Sequence, residues 1–183
     1  MVKHLGTKVL ETDRLILRKF KIDDAKNMYK NWATDFKTTL YLTWDVHENL
    51  ELTKQIVKSW VDAYSNLDNY NWVVELKENG EIIGNIGSTD FSEVNSICEI
   101  GYCYGSKYWN KGYATEALKR VIKFFFEEVQ IHTVTAYHIG ENVASGKVME
   151  KAGMHKEAVL KERKYNKNTK LLDSEVIYSI FNK

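Results

Sequence analysis

The residues best suited to hold an anion lie in one stretch, Trp109-Asn110-Lys111-Gly112-Tyr113-Ala114-Thr115-Glu116-Ala117. It joins an apolar strand-like run, Ile97 to Tyr104, to an apolar helix-like run, Ala117 to Val129. A strand feeding a short loop that opens into a helix leaves backbone N–H groups unpaired, and these add to the positive end of the helix dipole. Gly112 and Ala114 keep the loop bare enough for a phosphate to reach the backbone. Gly112 is not followed by Lys-Ser or Lys-Thr, which excludes a nucleotide P-loop. The sheet before the loop reads as antiparallel, which disfavours a dinucleotide-binding Rossmann unit.

Other chemistries have little footing. The five histidines (His4, His47, His132, His138, His155) form no His-Glu-x-x-His spacing, so metal catalysis is not expected. Cys98 and Cys103 lie an odd number of residues apart in one predicted strand, so they face opposite sides and form no disulfide or metal pair. A net charge of +1 argues against a dedicated nucleic-acid binder. No apolar run approaches the roughly 18 residues of a membrane span. The first ten residues lack the apolar core of a signal peptide. A cytoplasmic protein is the expectation.

At 183 residues the chain fits a single domain, 1–183, with a core over about 12–181. There is no proline, repeat or linker-like tract. Leu15 to Phe20 reads as a first strand. Asp23 and Asp24 read as N-caps of a helix to about Trp32. A second helix covers about Leu50 to Tyr64, where Leu52, Ile56, Val57, Trp60 and Val61 recur at near-helical spacing. The aromatic connection between them, Ala33 to Asn49, is long enough to suggest function. Trp72 to Lys77, Ile82 to Phe91 and Ile97 to Tyr104 follow as an antiparallel meander, turned first at Asn79-Gly80. Next come a helix over Gly112 to Val129, a strand over Thr133 to Ile139 and a helix over Asn142 to Ala152 ended by Gly153. Strands over Lys156 to Arg163 and Leu171 to Ser179 close the chain. The order β-α-α-β-β-β-α-β-α-β-β predicts an α+β fold: a mixed, mostly antiparallel sheet of about seven strands flanked by four helices.

This order and the loop resemble the GNAT superfamily of acyl-CoA-dependent N-acetyltransferases over nearly the whole chain. The superfamily's loop reads Arg/Gln-x-x-Gly-x-Gly/Ala. Here it is Trp109-x-x-Gly112-x-Ala114, with the first position departing from the pattern. The second motif is held by Asn142, Ser145, Met149 and Gly153-Met154. Within the superfamily the chain looks like the branch that acetylates N-terminal residues of ribosomal proteins. The features that carry this are Thr12-Asp13-Arg14-Leu15, Glu99-Ile100-Gly101-Tyr102, Tyr108-Trp109-x-Lys111-Gly112-Tyr113-Ala114-Thr115-Glu116-Ala117, Asn142-x-x-Ser145, and Asp173 with Tyr178.

The resemblance implies acetyl-CoA as donor. Its pyrophosphate is expected on Asn110, Lys111, Gly112, Tyr113, Ala114 and Thr115, and Asn142 and Ser145 are expected to contact the cofactor too, Asn142 also serving as a helix cap. Lys107 and Lys111 are either phosphate partners or solvated loop lysines, and Trp109 is expected to shape the loop. The strand carrying Tyr102 and Tyr104 is expected to splay from the strand after the helix. Its backbone would pair with the pantetheine arm, and the N–H near Tyr102 would polarise the thioester carbonyl. Ser145 is the expected donor to the departing thiolate, or simply the third residue of a capped helix. Met149 stands where many relatives carry an acidic tyrosine, and a thioether cannot donate a proton. Glu99, in an otherwise apolar strand, is the expected base; the alternatives are Glu157, Asp173, water, or an uninvolved Glu99 that is paired or faces outward.

The acceptor amine is expected between the early helices and the last hairpin, near Tyr41, Trp44, His47 and the Lys164 to Lys170 turn. Asp35, Asp45, Glu48 and Glu51 would favour a cationic acceptor or are plain solvated carboxylates. The reading is an N-acetyltransferase acting on a protein N-terminus such as that of a ribosomal protein. The alternatives are transfer to a small amine (polyamine or aminoglycoside) and a CoA-binding module without catalysis. The resembling branch also implies a homodimer.

Overall fold

The computed structural model describes residues 2–167 and 169–182. Eight strands form one sheet: β1 (Leu10–Glu11), β2 (Leu15–Arg18), β3 (Asn71–Leu76), β4 (Ile82–Ser92), β5 (Ile97–Tyr104), β6 (Thr133–Ile139), β7 (His155–Asn166) and β8 (Leu171–Phe181). The helices are α1 (Asp24–Met28), α2 (Phe36–Thr39), α3 (Leu50–Asp62), α4 (Tyr113–Phe124) and α5 (Val143–Lys151). The strand order is β1-β2-β3-β4-β5-β6-β8-β7, and all pairings are antiparallel except β5 with β6. This is the expected mixed α+β sheet. It gains two pieces too short to leave a periodic signal, the two-residue β1 and the four-residue α2.

Local chemistry sets the helix ends. Asn49 and Asn142 cap α3 and α5 by accepting from the N–H groups of Leu52 and Ser145. Gly153, at φ +96°, follows the end of α5 in the left-handed region where glycine carries no penalty. Asp23 precedes α1 without a side-chain cap bond, so that part of the expectation is corrected. Asp24 instead accepts from Lys21 N–H and pairs with Arg18 at 2.7 Å. α4 ends at Phe124, and the expected helix continues only as a wider turn over Phe125–Val129.

Apolar side chains alternate across the strands, so each sheet face carries its own core. On one face α4 and α5 bring Leu118, Val121, Phe124 and Met149 onto Leu15, Trp72, Ile100 and Val134. On the other, α1 and α3 bring Met28 and Val57 onto Val73, Ile82 and Cys103. Cys98 and Cys103 fall in different cores and are both free thiols, as their odd offset predicts. Tyr70, Trp72, Phe124 and Phe125 pack edge to face at 4.9–6.3 Å between centroids, a favoured aromatic geometry. No described helix is long and apolar enough to cross a membrane.

The sheet opens at one place. β5 and β6 pair only over Ile97–Glu99 with Thr133–Thr135. Beyond that register the strands diverge. The edge of residues 100–104 that faces β6 has no strand partner among the described residues, while β6 continues along β8 as far as Ile139.

Candidate active site

Two cavities meet in the wedge between β5 and β6. The first, about 610 Å³, is walled by the α2–α3 connection, by β4 and β5, and by the end of the β7–β8 hairpin. The second, about 450 Å³, runs from the wedge to the loop before α4 and along the first turn of α5. Both are lined by Tyr41, Leu42, Tyr102, Cys103, Asn142 and Ser145. A molecule in one cavity therefore faces a molecule in the other across these residues.

The second cavity ends on the loop singled out in the sequence. Asn110 and Gly112 both have positive φ, +59° and +82°. Alternating left-handed residues turn successive N–H groups inward, which makes an anion cradle at the start of α4. Asn110, Gly112, Tyr113, Ala114 and Thr115 all line it. Trp109 is pinned by its indole N–H, which donates to the Tyr104 carbonyl at 2.7 Å. Lys111 is not among the lining residues; its ammonium lies 5.8 Å from the Tyr108 ring centre. Lys107 turns away to Asn31 and Glu81, each at 3.0 Å.

At the junction, the Tyr102 hydroxyl crosses the wedge to α5. It donates to the Ser145 carbonyl at 3.0 Å and lies 2.9 Å from Ser145 Oγ. Burial pushes the Tyr102 pKa well up, so the hydroxyl stays protonated and can hold this bridge. Cys103 shares the junction, and burial likewise pushes its thiol up, which leaves little nucleophilic thiolate.

Known proteins share this fold. A family model described as an acetyltransferase (GNAT) domain matches residues 14–155. The chain belongs to the GNAT acetyltransferase family. The uncharacterized N-acetyltransferase YoaA of Bacillus subtilis is 29% identical, across 88% of this chain and 90% of its own. A GNAT-family acetyltransferase from Bacillus anthracis superposes with a TM-score of 0.83 at 28% identity, covering 96% of this chain and 99% of that one. A shorter match, 32% identical over 42% of each chain, is to the Escherichia coli enzyme named [ribosomal protein uS5]-alanine N-acetyltransferase. This GNAT protein is thus an acyltransferase, and acetyl-CoA is its cosubstrate.

The cosubstrate fits the residues present. The cradle would take the pyrophosphate, and the free β5 edge offers backbone groups to the pantetheine amides. Tyr102 and Tyr104 both line this cavity, with Asn142 and Ser145 opposite them on α5. Glu99 is placed differently from the expectation. It lines neither cavity, and its Oε1 accepts from the Thr89 hydroxyl at 2.6 Å. Thr89 does line the first cavity, so Glu99 stands one hydrogen bond behind the wall. Glu157 also lines neither cavity and accepts from Ser179 at 2.7 Å.

The first cavity carries the expected Tyr41, Trp44 and His47, and Lys164 to Lys167 from the hairpin. Burial lowers the His47 pKa, and its Nδ1 lies 2.8 Å from Thr53 Oγ1. The carboxylates expected to draw a cation are elsewhere. Asp35 caps α2 and accepts from Ser106 N–H, Asp45 pairs with Lys167 at 2.7 Å, and Glu51 pairs with Lys54 at 3.3 Å. No Asp or Glu is among the residues lining the cavity.

Two features of the site are missing from the sequence expectation. One is the clamp behind the cradle. Glu116 on α4 accepts from the Thr12 hydroxyl at 2.5 Å and from the Arg14 N–H at 3.0 Å, and pairs with the Arg14 guanidinium at 2.6 Å. Arg14 also donates to the Lys111 carbonyl and lies 4.6 Å over the Tyr113 ring. The other is His138, which lines the first cavity from the end of β6. The signals for both were in the chain: a charged motif ahead of the first strand, and a glycine, Gly146, inside a helix.

Proposed function

We propose that this enzyme transfers the acetyl group of acetyl-CoA to the N-terminal α-amine of a protein, such as a ribosomal protein. The observation that carries the reading is the lining of the first cavity. Neutral hydrogen-bonding groups, Asn69, Asn71, Asn85, Ser88 and Thr89, face aromatic Tyr41 and Trp44, and the charged liners are lysines. A polyamine or aminoglycoside carries several positive charges and needs carboxylates to offset their desolvation. A peptide N-terminus brings one amine and a row of neutral amides, which matches this wall. The partial similarity to the uS5-alanine enzyme supports the same reading.

Acetyl-CoA supplies an activated thioester at the junction of the two cavities. Tyr41, Leu42 and Tyr102 enclose that junction, and the β5 N–H groups beside Tyr102 are placed to polarise a carbonyl there. Ser145, held by Tyr102 and by the capped turn of α5, serves as hydroxyl donor to the leaving sulfur. Met149 is buried in the same wall and cannot take that role.

The test is acetyl-CoA consumption with a panel of short peptides beginning with Ala, Ser or Met, beside spermidine and kanamycin. Saturable turnover of a peptide with a free N-terminus is the expected outcome, with its blocked form inert. Turnover of spermidine or kanamycin alone would move the acceptor to the small amines.

A further inference from the structure

Helix α5 carries a glycine, Gly146, one residue after Ser145, where alanine would favour the helix. Its place has a steric reason. A Cβ at Gly146 would stand 2.7 Å from His138 Nε2 and 3.0 Å from the Tyr178 hydroxyl. The missing side chain lets the imidazole edge lie directly under the turn that presents Ser145. His138 is buried yet lines the first cavity.

The tautomer follows from its one hydrogen bond. His138 Nδ1 lies 2.7 Å from the Ile139 carbonyl, which can only accept, so Nδ1 carries the proton. Nε2 then keeps its lone pair and has no hydrogen-bond partner among the described residues. Tyr178 does not cap it, because the Tyr178 hydroxyl donates to Glu150 at 3.2 Å. Burial and that glutamate both push the Tyr178 pKa up, so its proton stays in place. Among the described residues, Tyr178 from β8 has its ring centre 5.8 Å from that of the imidazole and bonds to Glu150 from α5, Tyr102 from β5 bonds to Ser145, and Lys164 from β7 lines the same cavity. Lys164 is paired with Glu175 at 2.9 Å.

We propose that His138, which lines the acceptor cavity and whose Nε2 lies under the Ser145–Gly146 turn, is the base that takes the proton of the attacking amine. This rests on the acetyl-transfer reading above and adds the residue that completes its proton cycle. The amine nitrogen forms its bond to the acetyl carbon, and the carbon–sulfur bond breaks with its electron pair leaving on sulfur. The proton lost by nitrogen passes to Nε2. The imidazolium returns it through the Ser145 hydroxyl to the thiolate, so one proton moves from nitrogen to sulfur with no net change in the enzyme. Imidazole suits this exchange because one ring nitrogen can accept a proton while the other keeps its own.

His138→Asn keeps a donor to the Ile139 carbonyl and removes Nε2. His138→Gln keeps a polar group near Nε2 without its basicity. Both are assayed for rate against pH with an Ala- or Ser-initiated peptide and with spermidine, alongside CoA affinity and melting temperature. A peptide that is inert while spermidine reacts overturns the acceptor reading and leaves His138 to be judged on spermidine. If neither reacts, the slow hydrolysis of acetyl-CoA, with water in place of the amine, is the readout.

The expected result is a fall in turnover of roughly 10²–10⁴-fold, loss of the acidic limb of the profile, and near-parental CoA affinity. Retention of rate within about threefold, or a reduced rate with the limb unmoved, overturns the proposal. So does a Glu99→Gln enzyme that alone abolishes the limb. Should both His138 variants fail to fold, nitrogen NMR of the parent decides. The His138 ring must titrate with the same midpoint as the kinetic limb, and a ring that does not titrate across it overturns the assignment.

Discussion

Ser145 and Gly112 test the site atom by atom. Ser145→Ala removes one hydroxyl and leaves the helix cap, since Asn142 accepts from the backbone N–H. The expected effect is a fall in kcat of about 10²-fold or more with CoA affinity unchanged, read by steady-state kinetics and calorimetry. Unchanged kcat would return Ser145 to a purely structural part. Gly112→Ala acts on binding instead. At φ +82° a Cβ costs roughly 1–2 kcal/mol, so acetyl-CoA affinity and melting temperature both fall while the junction chemistry is untouched. How far single residues could be read from the chain depends on range. The cradle and the Asn142 cap were legible because each is made by neighbours a few positions apart. His138 was not, because a lone histidine on an apolar strand looks like core until Gly146 is seen beneath it.

Among the elements, the clamp joining the first strands to α4 has a pH signature. Burial pushes the Glu116 carboxyl up, but hydrogen bonds from Thr12 and Arg14 and the Arg14 charge outweigh it, so the folded pKa lies below the usual 4.5. A depressed carboxylate adds stability above its unfolded pKa, and that stability is lost as pH falls through the unfolded value toward the folded one. Glu116→Gln should therefore be less stable than the parent in urea at pH 7, and the gap should shrink as the pH falls below 4.5. A gap that does not change as the pH falls below 4.5 would mean the clamp works by packing rather than by charge. Strands and long helices were legible because period-2 and period-3.6 apolar patterns run through them. The clamp was not, since its partners Arg14 and Glu116 stand 102 residues apart. Glu99 shows the reverse limit. Its strand was placed correctly, but only the fold reveals that Thr89 stands between the carboxylate and the cavity.

For the whole molecule, two cavities meeting at shared residues imply that donor and acceptor are held together. Cys103 is the thiol at that meeting point, and its raised pKa keeps it from capturing the acetyl group. Initial-rate plots at several acetyl-CoA concentrations should therefore intersect, and mass spectrometry after acetyl-CoA alone should find no acetyl-enzyme. Parallel lines would point to a covalent relay.

The divergence of β5 from β6 leaves a row of backbone groups inside the sheet without a strand partner among the described residues. A sheet interrupted in this way is completed by whatever strand-like molecule lies in the gap, and the pantetheine arm is such a molecule. Folding and donor binding are then two readings of one equilibrium. At a hundred times its dissociation constant, a ligand of the native state alone adds about 2.7 kcal/mol of stability. The melting temperature should climb with CoA concentration and level off only slowly. Depletion of the cellular acetyl-CoA pool would thus loosen the enzyme as well as starve it, and expose it to proteolysis first along that seam.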